Sequence, residues 1–362
     1  MPSGMKSGNW SAGEWIDTML HRSATLRDAS DLVFEPLDDG SLMVRIRTAG
    51  IYRDMDRCST SNATAAVARL KALAGVPAYI TEEPQDGRIN GRPFGLPGDV
   101  RASFVPTVRG PRSALRLPAL GELPPPSGLG LPEAVVHGLR TAIRAAQGLV
   151  LVCGPTGSGK TTTIHSLLVE LAADRPDRLP LAIEDPVERR LAGVVQIEVR
   201  PHLQFGFAEA LRAVVRQDPD VLVIGEVRDP TTAQAAVRAA LTGHLVITTL
   251  HCGRAVEALP RLIEMGVMPE LLLPVLSGVL AQRLVRTVHA ACAGVGCEAC
   301  HGGYLGRQAV ADWTAPDHQA RIAWSQGRAP PLLADQDLQA ADLVARGRTT
   351  PAEVLRVTGA RI

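Results

Sequence analysis

Apolar and polar positions change their period along this chain, and each period predicts an element. From Ser11 to Arg22 the apolar residues Trp15, Met19 and Leu20 fall at the spacing of a short amphipathic helix. Asp31 to Pro36 and Ser41 to Arg47 predict short strands. In the second, Leu42, Val44 and Ile46 are set against Met43, Arg45 and Arg47. The alanine-rich stretch Ser61 to Ala74 predicts a helix with Leu70 and Leu73 on one side. Pro84 to Gly87 predicts a turn. Strand-like pieces come next at Arg88 to Asn90, Val100 to Val105 and Ser113 to Leu117. Residues 1–117 therefore read as a small α+β domain, with Trp10 and Trp15 packing on the next domain or on a partner.

Pro118 to Gly130 is rich in Pro and Gly and poor in charge, which predicts a linker over 118–130. Beyond it the pattern becomes apolar runs alternating with helical stretches. Leu131 to Ala146 predicts a helix. Strands are expected at Leu149–Cys153, Leu179–Ile183, Val221–Ile224 and Leu245–Thr248. Helices are expected at Thr161–Ala173, Phe207–Arg216, Thr232–Leu241 and Ala255–Glu264. This alternation predicts an α/β domain over 131–362 around a mainly parallel sheet. After Pro269 the pattern predicts mostly helix, apart from a cysteine-rich stretch. No internal repeat is visible.

Composition narrows the function classes. At 362 residues the chain is long enough for two substantial cores. A net charge of +1 gives no global electrostatic case for nucleic acid or an anionic membrane. Basic charge is nearly all arginine, the lysines being Lys6, Lys71 and Lys160. Genome base composition can produce that bias, so it carries no functional weight. No uncharged stretch is long enough to span a bilayer, and the first residues lack the pattern of a secretory signal. Of the six cysteines, Cys58, Cys153 and Cys252 are scattered, whereas Cys292, Cys297 and Cys300 cluster. That distribution suits a reducing compartment and one metal site better than a disulfide scaffold.

The chemistry centres on the apolar run Leu149–Cys153 and the loop after it, made of Gly154, Pro155, Thr156, Gly157, Ser158, Gly159, Lys160, Thr161 and Thr162. A buried strand, a glycine-rich turn and a helix N-terminus aim backbone N–H groups into one concavity. This is the phosphate-binding loop pattern. Lys160 is expected to reach the β and γ phosphates of a nucleotide, and the Thr161 hydroxyl to hold Mg²⁺. The alternative is a glycine-rich turn of no function, which the strand before it and the Lys-Thr pair at its end oppose.

Acidic residues sit where ligands lie in an open α/β sheet, at the carboxyl ends of the predicted strands. In Leu181–Glu188, LAIEDPVE, the residues Glu184, Asp185 and Glu188 are candidates to position or deprotonate an attacking water. An untuned carboxylate has a pKa near ~4 and is a weak base at neutral pH. In Asp218–Asp229, DPDVLVIGEVRD, Glu226 lies just past a buried strand and is placed to orient Mg²⁺-bound water. Arg228 either contacts phosphate or pairs with an acid. His244 and His251 flank the fourth strand, and His251 lies at its carboxyl end. Each stretch alone is also compatible with a solvated turn or a structural histidine.

His289, Cys292, Cys297 and Cys300 offer one imidazole and three thiolates, the ligand number of a closed structural Zn²⁺ site, and His301 is a spare candidate. Cys297-Glu298-Ala299-Cys300 is a ligand-spaced pair, and Gly294 and Gly296 lie in the short connection before it. Redox exchange has nothing nearby to lower a thiol pKa.

Taken together, these motifs resemble the ATPases of type II secretion and type IV pilus systems, over nearly the whole chain. GPTGSGKTTT at 154–163 resembles the family's Walker A motif. IEDPVE at 183–188 resembles its aspartate box, RQDPDVLVIGEVRD at 216–229 its Walker B region, and TGHLVITTLH at 242–251 its histidine box. Ala29–Pro36 resembles a segment of the small N-terminal domain, and Pro84–Arg88 its PQDGR turn. The resemblance implies a RecA-like P-loop motor domain with a smaller PAS-like α+β domain before it. It implies ATP as fuel and a homo-hexameric ring. Arg101 and Arg116 match family arginines that face a nucleotide across a subunit boundary. The implied output is mechanical: an inner-membrane platform protein is driven to add or remove pilin-like or pseudopilin subunits. The implied location is cytoplasmic, held peripherally at the inner membrane by partners.

The cysteine region refines the subtype. Assembly and secretion members carry two Cys-x-x-Cys pairs after the histidine box, and retraction members lack them. Here Val288–Cys292 resembles the first pair with His289 in the first place, and Gly296–Cys300 resembles the second. Gly303–Arg307 continues the family pattern, although the connection between pairs is short. The expectation is an assembly or secretion motor. A retraction ATPase and a conjugation-type traffic ATPase are the alternatives within the superfamily. A nucleic-acid motor lacks positive support, and a scaffold that no longer hydrolyses is opposed by Lys160, Thr161, Glu188 and Glu226. Two departures from the pattern, Thr231 and Cys252, remove no principal phosphate or metal group. A cytoplasmic anchor protein, which larger members dock through a further N-terminal domain, is expected to be bound differently or not at all.

Overall fold

A computed structural model describes residues 11–200, 203–297, 300 and 302–361. Lys6, Trp10, Glu298, Ala299 and His301, named above, lie outside the described residues. The chain divides into two compact units after Glu122, inside the stretch expected to be a linker. The second half of that stretch belongs to the second unit. There Pro124 accepts a hydrogen bond from Ser166, and Gly130 accepts one from Gln308.

The first unit is a six-stranded antiparallel sheet with two helices. Its strands are β1 (Ala29–Pro36), β2 (Leu42–Thr48), β3 (Ile51–Cys58), β4 (Gln85–Ile89), β5 (Val100–Val105) and β6 (Arg112–Arg116). They lie in the order β3-β2-β1-β6-β5-β4. Strict alternation in β2 buries Leu42, Val44 and Ile46 and leaves Met43, Arg45 and Arg47 on the outer face. Helix α1 (Ala12–Thr25) begins with a capping box, in which Ser11 and Glu14 satisfy each other's backbone N–H groups. Ile16, Met19 and Leu20 of α1 and Leu70 of α2 (Thr60–Leu73) cover the inward residues Leu32, Phe34, Phe104 and Leu115.

One expectation fails in this unit, and one strand is not foreseen. The segment expected to turn at Pro84–Gly87 instead enters strand β4 and pairs with β5. Gly87 is required there by close approach: a Cβ would lie 2.4 Å from the Ala74 carbonyl oxygen, which accepts from Arg88 N. Strand β3 has no clean apolar alternation to predict it. It forms as an edge strand through its ladder to β2.

The second unit holds a seven-stranded sheet. Its strands are β7 (Gly148–Cys153), β8 (Pro180–Glu184), β9 (Val195–Glu198), β10 (Val221–Ile224), β11 (Leu245–Leu250), β12 (Leu276–Val288) and β13 (Tyr304–Thr314). The order is β13-β12-β7-β11-β10-β8-β9, parallel except for the antiparallel edge pair β12–β13. Every residue of β7, β8, β10 and β11 is buried, because both faces of the sheet are covered. On one face lie α5 (Phe207–Val214) and α6 (Pro230–Leu241); on the other lie α3 (Glu133–Arg144) and α4 (Lys160–Asp174). Parallel register brings the carboxyl ends of β7, β8, β10 and β11 to one edge, and the site is built there.

The expectation of mostly helix after Pro269 is overturned. α7 (Ala258–Glu264) and the short α8 (Pro269–Val275) precede a long hairpin of β12 and β13. Among the described residues, α-helix returns in α9 (His318–Ser325), α10 (Gln336–Ala345) and α11 (Pro351–Thr358). Leu, Ala, Gln and Arg in β12 favour helix by local propensity. Tertiary pairing overrides it, because β12 satisfies the open hydrogen-bonding side of β7, with Ala281 in register with Cys153.

Candidate functional site

The phosphate loop leaves the buried end of β7 and closes onto the N-terminus of α4. Gly154 and Gly159 both have positive φ, 147° and 92°. A Cβ at Gly154 would lie 2.4 Å from Ser158 Oγ and 2.6 Å from the Gln282 carbonyl oxygen. Lys160 is buried, and its Nζ donates to the carbonyl oxygens of Gly154 at 2.7 Å and Pro155 at 3.1 Å. Burial pushes the Lys160 pKa below its ordinary value. Thr161 and Thr162 stand exposed in the first helical turn. All nine residues from Gly154 to Thr162 thus form one loop and helix start, as their spacing predicts.

Beside this loop the structure gathers the residues beyond β10 and β11. Glu226 is largely buried. Its Oε1 accepts from Arg228 Nη2 at 2.6 Å, and its Oε2 lies 3.5 Å from His251 Nε2. The sequence leaves open whether Arg228 meets phosphate or an acid; in this structure it pairs with Glu226. Threonine hydroxyls fix the turn beneath them. Thr248 donates to the Ile224 carbonyl at 2.9 Å and Thr249 to the Gly225 carbonyl at 2.7 Å. Asp229 caps α6 by accepting from Thr232 N and Oγ1; against the opposing effect of burial, these bonds hold its pKa below the usual range. His244, at the entry of β11, instead meets the Ala239 carbonyl, 3.0 Å from Nδ1, on the opposite edge of the sheet.

The acids of the LAIEDPVE stretch separate. Glu184 is buried and both its oxygens are engaged, by His165 Nε2 at 3.0 Å and by Gln196 Nε2 at 2.7 Å. Asp185 and Glu188 are exposed. Gln196 also donates to the Arg189 carbonyl and accepts from Leu191 N, so Glu184 sits in a network that shapes the loop carrying Glu188. The sequence does not single out His165 and Gln196. Their signal is weak: one polar residue each on an otherwise ordinary helix and edge strand.

Gln282 is the second omission. It lies on β12, where helix is expected from sequence, and its amide is bonded to the phosphate loop and to α4: Nε2 donates to the Ser158 carbonyl at 2.7 Å, and Oε1 accepts from Thr163 Oγ1 at 2.9 Å. Near the loop, the neighbouring Cys252 thiol and burial push the Cys153 thiol pKa above its ordinary value.

In the first unit, Arg101 stands directly opposite Arg116 on one side and Arg88 on the other, and Arg116 stands opposite Asp31. Arg88, Arg101 and Arg116 are exposed, so three cations line one row across the outer face of this sheet. Like charges directly opposed disfavour a sheet by themselves. Arg88 is legible in the sequence only as part of a turn motif.

The metal-ligand candidates converge at the end of the β12–β13 hairpin. The ligand atoms of His289, Cys292, Cys297 and Cys300 all lie within 4.8 Å of one another. His289 Nδ1 is 3.4 Å from both Cys292 Sγ and Cys297 Sγ, and Cys292 Sγ is 3.6 Å from Cys300 Sγ. Tetrahedral zinc, with Zn–S near ~2.3 Å and Zn–N near ~2.0 Å, requires edges of roughly 3.8 Å between sulfurs and roughly 3.5 Å between sulfur and nitrogen. The donor set fits. Cys300 Sγ also accepts from Cys297 N at 3.3 Å. Contrary to the expectation from sequence that nothing nearby lowers these thiols, and against the opposing effect of burial, backbone N–H groups including Gly296 near Cys292 and Cys297 near Cys300 lower both thiol pKa values, as thiolate ligands need.

Among the described residues no helix is long and apolar enough to cross a membrane. The family model described as Type II/IV secretion system protein matches residues 11–355. The chain is 43% identical to the type II secretion system protein HxcR of Pseudomonas aeruginosa, over 95% of this chain and 76% of that protein. It is 36% identical to the type IV pilus assembly ATPase PilB of Thermus thermophilus, over 91% of this chain and 40% of that protein. Among solved structures it resembles the pilus retraction motor PilT with bound ADP, at a TM-score of 0.60 and 25% identity over 94% of this chain and 92% of that one. With a phosphate loop on a RecA-like sheet and this likeness along nearly its whole length, the chain belongs to the Type II/IV secretion system protein family and is a P-loop ATPase of that family.

Proposed function

We propose that this ATPase works as a homo-hexameric assembly motor. ATP hydrolysis would drive an inner-membrane platform protein that adds pilin or pseudopilin subunits, in type II secretion or type IV pilus biogenesis. The observation that carries this reading is the convergence of Lys160, Glu226, Arg228 and His251 at one edge of the sheet. In hydrolysis, Lys160 leaves the Gly154 and Pro155 carbonyls for the β and γ phosphates, to which its charge is better matched. The Thr161 hydroxyl and Glu226 would hold Mg²⁺, which neutralises phosphate charge. Glu188, exposed near Glu184, is the better candidate for the base that takes the proton of the attacking water. Glu184 acts by holding the loop in place. Arg101 and Arg116 of a neighbouring subunit supply positive charge to the transition state. His289, Cys292, Cys297 and Cys300 hold structural Zn²⁺ and close the hairpin.

Identity to the assembly and secretion relatives, at 36% and 43%, exceeds the 25% to the retraction motor. With the ligand-spaced cysteines this supports assembly over retraction. The motor works at the cytoplasmic face, held to the membrane by its partners, and needs no specific nucleic acid. The test is a deletion strain complemented with the wild-type gene or with Lys160→Ala. Pilus number and secreted-protein output are expected to fall and to return only with wild type. Excess, non-retracting pili would identify a retraction motor instead.

A further inference from the structure

We propose that Gln282 is a positioning residue for the phosphate loop, setting the geometry in which the loop binds nucleotide phosphate. A phosphate loop works only if its N–H groups point into the concavity, which requires its carbonyls to point away and find donors elsewhere. The Ser158 carbonyl finds Gln282 Nε2 at 2.7 Å. The same side chain accepts from Thr163 Oγ1, at 2.9 Å, in the first turn of α4. One amide therefore holds the end of the loop and the start of the helix in fixed relation.

Its placement explains more than these bonds. Ala281 is in register with Cys153, so Gln282 lies beside Gly154, the first residue of the loop. A Cβ at Gly154 would meet the Gln282 carbonyl oxygen at 2.6 Å, and a Cβ at Gly159 would meet Gln282 Nε2 at 2.9 Å. The loop is thus gripped at both glycines by the backbone and side chain of one residue. Gln282 is 2% exposed and its amide is bonded to the Ser158 carbonyl and the Thr163 hydroxyl, so it acts through the loop. Further along, β12 ends at Val288, beside the metal-ligand cluster. The same strand therefore runs from the nucleotide loop to the hairpin end.

The function of an amide here is its two-sidedness. It must donate to a carbonyl and accept from a hydroxyl at once, which neither carboxylate nor thioether can do. Gln282→Met keeps length and approximate volume but leaves the Ser158 carbonyl and the Thr163 hydroxyl without these partners. Gln282→Glu places a carboxylate against the Ser158 carbonyl and brings negative charge under a phosphate site. Thr163→Val removes one of the two bonds.

The test is MgADP affinity, measured by calorimetry on the full chain, with MgATP turnover and the thermal midpoint of the nucleotide-free protein recorded beside it. The inference rests on the phosphate-loop reading, and wild-type protein that failed to bind MgADP would refute that reading itself. If wild type binds, Gln282→Met is expected to weaken MgADP about tenfold and Gln282→Glu more. KM should rise more than kcat falls, with the midpoint kept within a few degrees. Thr163→Val should weaken binding less, and its effect should largely vanish in the Gln282→Met background. Wild-type affinity in a folded Gln282→Met protein would overturn the assignment. So would additive effects of the two substitutions. If Gln282→Met does not fold, unchanged MgADP affinity in Thr163→Val overturns it.

Discussion

Glu353 supplies the prediction whose size comes most directly from the structure. It lies on α11, its side chain is fully buried, and it accepts from Arg286 Nη2 and Arg356 Nη2, both at 2.6 Å, and from Arg286 N at 3.0 Å. Arg286 also stands over the Tyr304 ring at 4.1 Å, so this cluster joins β12, β13 and α11. Burial alone would raise the Glu353 pKa. The two guanidinium groups and the backbone N–H outweigh it and hold the carboxyl at about 2, against an ordinary 4.5. That gap is worth roughly 3 kcal/mol, at ~1.4 kcal/mol per pH unit. Because the folded-state pKa is depressed, the contribution is fully present above the unfolded value of 4.5. It is lost as pH falls toward about 2, where the folded state also takes the proton. Glu353→Gln removes the charge while nearly keeping the shape. It should cost about 3 kcal/mol near neutral pH, the usual scale for breaking a buried pair by removing one partner. The assay is urea unfolding of both proteins at pH 7, 5.5, 4 and 3, monitored by tryptophan fluorescence and circular dichroism. The stability gap should be constant at the two higher values and narrow below 4.5. A gap under ~0.5 kcal/mol at pH 7, or one that persists unchanged at pH 3, would refute the reasoning.

Other substitutions test the site itself. Lys160→Ala should lower phosphate release by at least ~100-fold while the far-ultraviolet dichroism spectrum is kept, and turnover within tenfold of wild type would contradict its proposed role. Glu226→Gln should lower kcat by about 100-fold and weaken MgADP by a smaller factor through its share in holding Mg²⁺, so a loss confined to binding would remove Glu226 from the chemistry. Glu188→Gln should abolish turnover without a stability change, whereas Glu184→Gln should destabilise the protein by ~1–3 kcal/mol through the bonds of His165 and Gln196; the reverse pattern would exchange their roles. Elemental analysis should find one zinc per wild-type chain and none after Cys300→Ser, with a lower thermal midpoint in the variant. Metal-free wild-type protein prepared in the presence of zinc would show that the four side chains are not a zinc site.

The phosphate loop is legible in the sequence because its chemistry is local. A buried apolar run, glycines able to take positive φ, and Lys-Thr at a helix start lie within a few residues of one another. The same holds for Glu226 just beyond β10, and for the ligand spacing around Cys297 and Cys300, which the fold closes with His289 and Cys292. β12 reads as helix because its helix-favouring residues give no local sign of the strand partners β7, far earlier in the chain, and β13, on the far side of the cysteine cluster. Gln282 is hidden with it, since its meaning lies in bonds to Ser158 and Thr163. Glu184 has the sequence position of a catalytic acid, yet in the fold His165 and Gln196 use both its oxygens. Sequence alone determined which groups can bind phosphate, metal and protons, because those capacities belong to side chains and short turns. Only the tertiary structure decided which of those groups stay open to a ligand and which hold the others in place, because burial and the partners brought by distant strands set each group's remaining hydrogen-bonding capacity.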